Sequence, residues 1–573
     1  MSLVFTNQLR GRLGLSAGLA WGLVGCASNP SAPALDDVGS SAGYGGSASA
    51  AGSDSGGGTS GTSGRAGGSP GSSVSGNGNA GGAGDFAAAG SSGGAGAGTT
   101  GGNSTGGSAS GAAGSSSMAG AAGSTSSATI INDRFWKDTS GTPIYSQGGG
   151  VLRVGDTYYW YGVKYGGAPT YAAMPSGKNS DTSFQGITTY SSKDLVNWKL
   201  EATDLPANTG GWFGRLGVAY HASSKKYVLV AQGGGGLYFA TSDKPNGGFK
   251  LDNVQTNLPG IVNGATGDQT IFQDDDGQAY LVSSSSNGRA NRYVSPLRAA
   301  DFLAAENAVF VYKGGGREGN CMFKNNGAYY FCSSDLHGWN ASQTYCVSAS
   351  NIKGPYGPEF VLDGSSADFS HVTQTGFFIS VKGSAQTTII FAGDRWSDFA
   401  GNGLGFNQWL PLTFTGTTAH LQSLNQWSID ARAGTWSVAP GNNYVLNPSV
   451  EADRVAVTTP AGWATTSGSN VTGGHTGRWS WQLTGTSSLT QTIASLPNGT
   501  YTLSAWVKSS AAGAQLYVKD FGGAQKTGAI PSSTAWTNVT IPGIAVTSRH
   551  AEVGATGSGS TVTIDDFVLA SGG

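Results

Sequence analysis

The chain is poor in charge. Asp, Glu, Lys and Arg make up only 11% of its 573 residues and the formal net charge is -2. No basic stripe is available to neutralise phosphates, which excludes nucleic acid as a partner. Cysteine is scarce as well: Cys26, Cys321, Cys332 and Cys346 are too few for a disulfide scaffold and stand at no zinc-site spacing. The apolar stretch near the N-terminus is too short to span a membrane as a stable helix. From Ile130 to Trp436 no 3.6-residue periodicity persists over the length a helix requires, which excludes a helical fold.

What is abundant is glycine, 96 residues, much of it between Ser28 and Ser127 in runs such as GGSPGSSVSGNGNAGGAGDF. Almost no large apolar residue there offers a core, so this stretch reads as a disordered Gly/Ser/Ala tether. About 100 residues in that regime span roughly 50–60 Å on average. Ahead of it, Arg10 and Arg12 precede a short apolar segment in the manner of a secretory signal. Leu23-Val24-Gly25-Cys26 resembles a bacterial lipobox with Cys26 as the lipidated residue; the alternative is an ordinary signal peptide. Export implies an oxidising compartment for the other cysteines. In CMFKNNGAYYFC an Asn326-Gly327 turn sets Cys321 across from Cys332, and Cys346 on the next strand competes for the bridge.

Aromatics are also plentiful, 15 Trp, 21 Tyr and 22 Phe, which suits both sugar stacking and all-β cores. One hairpin phrase recurs: GDTYYWYG from Gly155, KKYVLVAQ from Lys225, GQAYLVSSS from Gly277, NGAYYFCSS from Asn326 and AQTTIIFAGDRW from Ala385. Several copies are followed by a further strand and a Ser or Asp turn, as in TTYSSKDLVNW and LYFATSDKPNGGF. Repetition at roughly fifty to seventy residues with about four short strands per unit predicts a five-bladed β-propeller, a sandwich or β-helix being the alternative. After Pro440 the pattern changes to one all-β unit, a β-sandwich.

Glycoside hydrolysis needs a proton donor and a partner acting on water or on the sugar. Glu318, in GGGREGNCMF ahead of the fourth hairpin, and Asp268, in TGDQTIF ahead of the third, occupy matching slots; Asp274 to Asp276 read as a turn. The slot before the first hairpin, Gln147-Gly148-Gly149-Gly150, carries no acid. The slot before the fifth offers His371 and Gln374. Trp339, Trp396 and Trp409 are candidates for the rim of a sugar pocket, with a core role as the alternative.

These phrases, together with DQTIFQDDDGQAYL, HGWN, TQTGFF and GDRW followed by QWLPL, resemble glycoside hydrolase family 43, inverting enzymes built on five-bladed propellers. Gly148 stands where most members keep an aspartate base, as in the exo-β-1,3-galactanase-like subgroup. The resemblance implies Glu318 as general acid, Asp268 as the group that raises its pKa, and Gln374 in the base position, acting as an imidic tautomer or by positioning water. Gln147 and Arg395 are implied on the sugar side. Gln147, Val163 and Gly214-Arg215 depart from the subgroup's histidine, acid and Glu-Arg-Pro-Lys phrase, which puts the exact sugar in doubt. NPSVE, LPNGTYTLSAWVK and DDFVL resemble jelly-roll carbohydrate-binding modules, implying a structural calcium at Glu451 and Asp565 or Asp566, with solvated carboxylates at strand ends as the alternative; Trp463, Trp479, Trp481, Trp506 and Trp536 are platform candidates, some of them core.

The expected organisation is therefore a lipoprotein signal peptide (1–26), a linker (27–128), a propeller catalytic domain (129–440) and a sandwich (441–573). The expected activity is exo-acting release of galactose from β-1,3-galactan or arabinogalactan-type polysaccharide of plant or microbial origin, by a monomer that needs no cofactor. Its location is the cell envelope or surface, with membrane contact only through the lipid, or else the medium. A family 43 furanosidase or xylosidase, and a non-catalytic polysaccharide-binding lipoprotein, are the alternatives.

Overall fold

The computed structural model describes residues 127–173, 181–205, 213–338, 340–395, 406–451 and 459–572. The signal segment with Cys26, the linker through residue 126, Trp339 and Trp396 lie outside the described residues.

The fold is all-β. Five four-stranded antiparallel sheets follow one another along the chain, each with its strands in sequence order. They start at Gln147–Val154, Phe213–His221, Thr266–Gln273, Glu318–Asn325 and Gln374–Lys382. The recurring phrases of the sequence are the second strand of each sheet. Tyr, Val, Ile and Phe suit a pleated surface buried on both faces, and the hairpin turns have the required chemistry: Asn326 and Gly327, with φ of 48° and 80°, match the twist of the strands they join.

The first strand of each sheet packs beside the first strand of the next, and the fifth beside the first. Side chains hardly fit at this crowded centre: a Cβ on Gly217 would lie 2.9 Å from the backbone nitrogen of Ile271. Every one of these five strands also breaks register near its start, between Gln147 and Gly150, Gly214 and Leu216, Thr266 and Gln269, Glu318 and Cys321, and Thr375 and Phe377. A bulge re-aims the side chains beside it, so five bulges turn five sets of side chains toward one end of the ring.

Two interactions join the two ends of the five-sheet segment. Ala128–Ile131 pairs with Gln426–Asp430, which pairs with Thr435–Val438. Half-buried Trp136 packs with the buried Trp160, Trp198 and Trp409, the Trp409 ring centroid lying 5.0–5.7 Å from the other three. Trp409 is 0% exposed, which corrects its candidacy for a sugar platform: it is core.

Cys332 stands opposite both Cys321 and Cys346 in register, so strand pairing alone does not choose the bridge. The disulfide is Cys332–Cys346, and Cys321 is a buried thiol, correcting the Cys321–Cys332 alternative. With a sequence separation of 14, loop closure is worth about 3 kcal/mol. The double variant Cys332→Ser, Cys346→Ser should lose about that much stability in denaturant melts.

Beyond residue 440 two five-stranded sheets enclose a second apolar core that includes Trp463, Trp481, Leu503, Val507, Phe567 and Leu569. Trp463 and Trp481 are thus interior, whereas Trp479, Trp506 and Trp536 are half-buried.

Candidate active site

The bulged ends of the inner strands bring together Gln147, Gly148, Arg215, Asp268, Glu318 and Gln374. Arg215 is the hub. Its Nε donates to Asp268 Oδ2 at 3.0 Å, Nη1 to Asp394 Oδ2 at 3.3 Å, and Nη2 to Gln374 Oε1. Gln374 is thereby oriented with its oxygen toward the guanidinium, and its Nε2 donates to Glu318 Oε1 at 2.8 Å and to the Gly338 carbonyl at 3.2 Å. Asp268 Oδ2 also accepts the Gly319 N–H at 2.9 Å. Arg289, on the loop after the second strand of the third sheet, pairs with Glu318 Oε2.

The two carboxyl groups are pushed apart in acidity. Burial and then the Asp268 charge push Glu318 up to about 8, against Arg289, Arg215 and the Gln374 hydrogen bond. Burial acts on Asp268 in the same direction, but Arg215, Arg289 and the Gly319 N–H outweigh it and hold the group below the ordinary carboxylate value. Asp394, raised by burial, accepts the Gly148 N–H at 3.2 Å. Gly148 itself has a φ of +56°, a left-handed conformation that favours glycine; this first strand contributes backbone where an acid could have stood. Chemically, the centre offers one carboxyl able to donate a proton at neutral pH, one that stays ionised, and an amide between a cation and the donor.

Sequence reasoning placed Glu318, Asp268, Gln374 and Gln147 at this end of the ring, and the structure brings them there; Gln147 is 2% exposed. Arg395 makes a separate set of contacts: its Nη1 pairs with Asp133 Oδ1 at 2.8 Å, within a largely buried network joined to His371. Asp394, Arg289 and the hub role of Arg215 were not foreseen. Asp394 had a signal, since it faces Gln374 across the hairpin in the phrase GDRW; Arg289 sits in a turn-rich loop without periodicity and had none.

The carboxylates expected to hold calcium do converge, on the turn at residues 475–479. Glu451 Oε1 accepts the Arg478 and Trp479 N–H groups at 2.9 and 2.7 Å, and Asp565 Oδ2 accepts those of His475 and Thr476 at 2.6 and 3.3 Å. Asp566 meets His475 Nδ1 at 2.6 Å. Burial, then Asp566 and Glu451, push Asp565 up to about 9. Among the described residues no group of His, Cys, Asp and Glu is arranged to hold a metal ion; the N–H contacts of this turn fall on Glu451 Oε1 and Asp565 Oδ2, and a structural calcium at these carboxylates stands as an expectation from the sequence.

A carboxyl raised toward neutral pH beside one held ionised is a pair that acetal cleavage can use, and the chain is a glycoside hydrolase. More narrowly, residues 143–376 match the model of the family described as glycosyl hydrolases family 43. No curated protein matches the chain. Among solved structures, an exo-β-1,3-galactanase from Phanerochaete chrysosporium with galactose is 22% identical over 77% of this chain and 100% of its own, with a TM-score of 0.50. An exo-β-1,3-galactanase from Clostridium thermocellum is 26% identical over 61% of this chain and 83% of its own, with a TM-score of 0.47.

Proposed function

We propose that the protein is an exo-acting, inverting hydrolase that removes galactose from β-1,3-galactan or arabinogalactan-type chains. The observation that carries this reading is the Glu318–Gln374 pair, seated on Arg215 and Asp268, in a family 43 domain whose first inner strand offers Gly148 instead of an acid. The substrate is the one named for the galactanases that share the fold. Five blades of a propeller account for the five sheets, and a sugar-binding sandwich for the C-terminal pair. The domain limits, the lipid on Cys26 and an envelope location complete the reading: a catalytic unit on a long tether facing polymer outside the cell.

In this mechanism Glu318 protonates the leaving glycosidic oxygen while water adds to the anomeric carbon from the opposite face. The water's proton passes to solvent, with Gln374 orienting the water or relaying the proton as its imidic tautomer. Asp268 stays ionised and keeps the Glu318 proton in place at neutral pH. Gln374 Nε2 lies only 2.8 Å from Glu318 Oε1, whereas an inverting pair stands about 6.5–9.5 Å apart. A sugar entering between them therefore has to part this hydrogen bond.

The test is product analysis with β-1,3-galacto-oligosaccharides and a panel of aryl glycosides. Galactose from the galactan series is the expected product. Release only from an arabinofuranoside, galactofuranoside or xyloside favours the second reading, another family 43 glycosidase, for which the absence of acids at Val163 and Gly214 speaks. Tight binding with no release from any substrate would identify a binding protein instead.

The acidity of Glu318 makes a further prediction. With the acid pushed up to about 8, kcat/KM should hold below that pH and fall tenfold per unit above it. Arg289 opposes the protonated form, so Arg289→Met should move this alkaline limb upward by on the order of one unit. A downward shift in the pH profile would show that Arg289 does not act on Glu318.

A further inference from the structure

Two residues before Gln374 the backbone does something costly. Phe369, Ser370, His371 and Val372 have φ of 53°, 57°, 57° and 59°, one left-handed turn built without glycine. Each such residue costs roughly 1–2 kcal/mol, and for a β-branched residue such as Val372 the conformation is a true outlier. Strain of this size persists only where the surroundings over-determine it.

Two sets of contacts do so. From the ring side, Asp368 Oδ1 accepts the His371 N–H at 2.9 Å, and Ser370 Oγ donates to the Ser342 carbonyl at 3.0 Å. His371 Nε2 lies 3.1 Å from Asp133 Oδ2, and its Nδ1 lies 2.8 Å from Ser423 Oγ. Asp133 is held in turn by Arg395, Gln408 and Asn425, each at 2.8 Å. Burial disfavours the imidazolium, but Asp133 and Asp368 outweigh it and push His371 up to about 10, so the turn is fastened by a buried ion pair. From the other side comes the C-terminal unit. Phe369, Val372 and Ala341 pack against Ala461, and a Cβ on Gly462 would lie 2.8 Å from the Ala367 carbonyl. Ala461 is tied to its own unit through Asn447, whose Nδ2 donates to the Ala461 carbonyl at 3.0 Å while its carbonyl accepts Trp463 Nε1 at 3.0 Å.

We infer that the C-terminal unit is a working part of the catalytic centre: its Ala461–Gly462 edge, together with the His371–Asp133 pair, forces the left-handed turn that presents Gln374 to Glu318. His371 and Ala461 are thus positioning residues, acting through Gln374. The inference rests on the roles given above to Gln374 and Glu318, and it assigns the sandwich a duty separate from sugar binding.

The test uses the full chain with Ala461→Glu, which sets a carboxylate against the apolar side of the turn, and His371→Asn, which tolerates left-handed φ but removes the ion pair. Steady-state kinetics, the pH profile of kcat/KM and amide exchange of a peptide covering residues 369–374 are the readouts. Both variants should lower kcat at least tenfold with KM changed less than threefold, and should speed amide exchange in that peptide. Gln374 donates to Glu318 and so lowers its pKa; losing that bond should shift the alkaline limb upward, which a merely structural defect would not do. If Ala461→Glu does not fold, Ala461→Gly removes the contact more gently and should act in the same direction. Unchanged amide exchange, or loosened exchange with kcat and the pH limb unmoved, overturns the inference. A wild-type chain that cleaves no glycoside sinks the functional reading instead, and amide exchange still decides whether the sandwich braces the turn.

Discussion

Glu318→Gln should lower kcat/KM on galacto-oligosaccharides by about 10²–10⁴-fold, the usual contribution of a positioned general acid. The loss should be smallest on aryl glycosides whose leaving group needs no proton, because glutamine preserves the shape of the site and removes only the transferable proton. The alkaline limb near pH 8 should disappear with it. Stability should move the other way. Glu318 is raised by burial and by Asp268, so its native-state pKa lies above its unfolded value; its contribution is favourable below the unfolded pKa and is lost as pH rises through about 8. Glutamine escapes that penalty, and the variant should melt above the wild type at pH 9, as thermal unfolding at pH 6 and pH 9 will register. A variant that keeps full activity would remove Glu318 from the mechanism.

Arg215→Met should be the most damaging single change. Arg215 is 3% exposed and bridges Asp268, Asp394 and Gln374. Methionine fills most of its volume but leaves the buried Asp394 without its cation and Asp268 with Arg289 alone, and breaking a buried pair in this way costs about 3–5 kcal/mol. Activity should fall at least about 10²-fold, since both the partner of the acid and the amide lose their orientation. Arg215→Lys separates the two effects: a point charge recovers part of the stability, but it cannot make three directed contacts, so activity should stay low. Denaturant melts and kcat/KM on the same preparations check both halves. Equal recovery of stability and activity in the lysine variant would mean that charge alone, and not the three-way geometry, is what Arg215 supplies.

These expectations trace how far the sequence is readable. The five hairpin phrases were visible because each second strand is buried on both faces and must be a continuous apolar run between turn residues. Their spacing alone put Glu318 and Asp268 in matching slots. What the pattern does not carry is the consequence of long-range closure. Trp409 looks like any exposed-capable aromatic until Trp136, Trp160 and Trp198 surround it. Cys332 has two partners in register, and only the packed sheet selects Cys346. The left-handed turn at Phe369–Val372 breaks local preference outright: no glycine or asparagine marks it, because contacts from Asp133, nearly 240 residues earlier, and from Ala461 impose it. Arg289 was missed for a related reason, as a polar residue in a turn is usually solvated.

The most direct measurement follows the anomeric protons by NMR while the protein hydrolyses β-1,3-galactotriose. The account predicts free galactose from the chain end, appearing first as the α-anomer and equilibrating only afterwards, with Glu318→Gln slower by about 10²–10⁴-fold under the same conditions. Galactose appearing first as the β-anomer, or hydrolysis at the wild-type rate in Glu318→Gln, would contradict it.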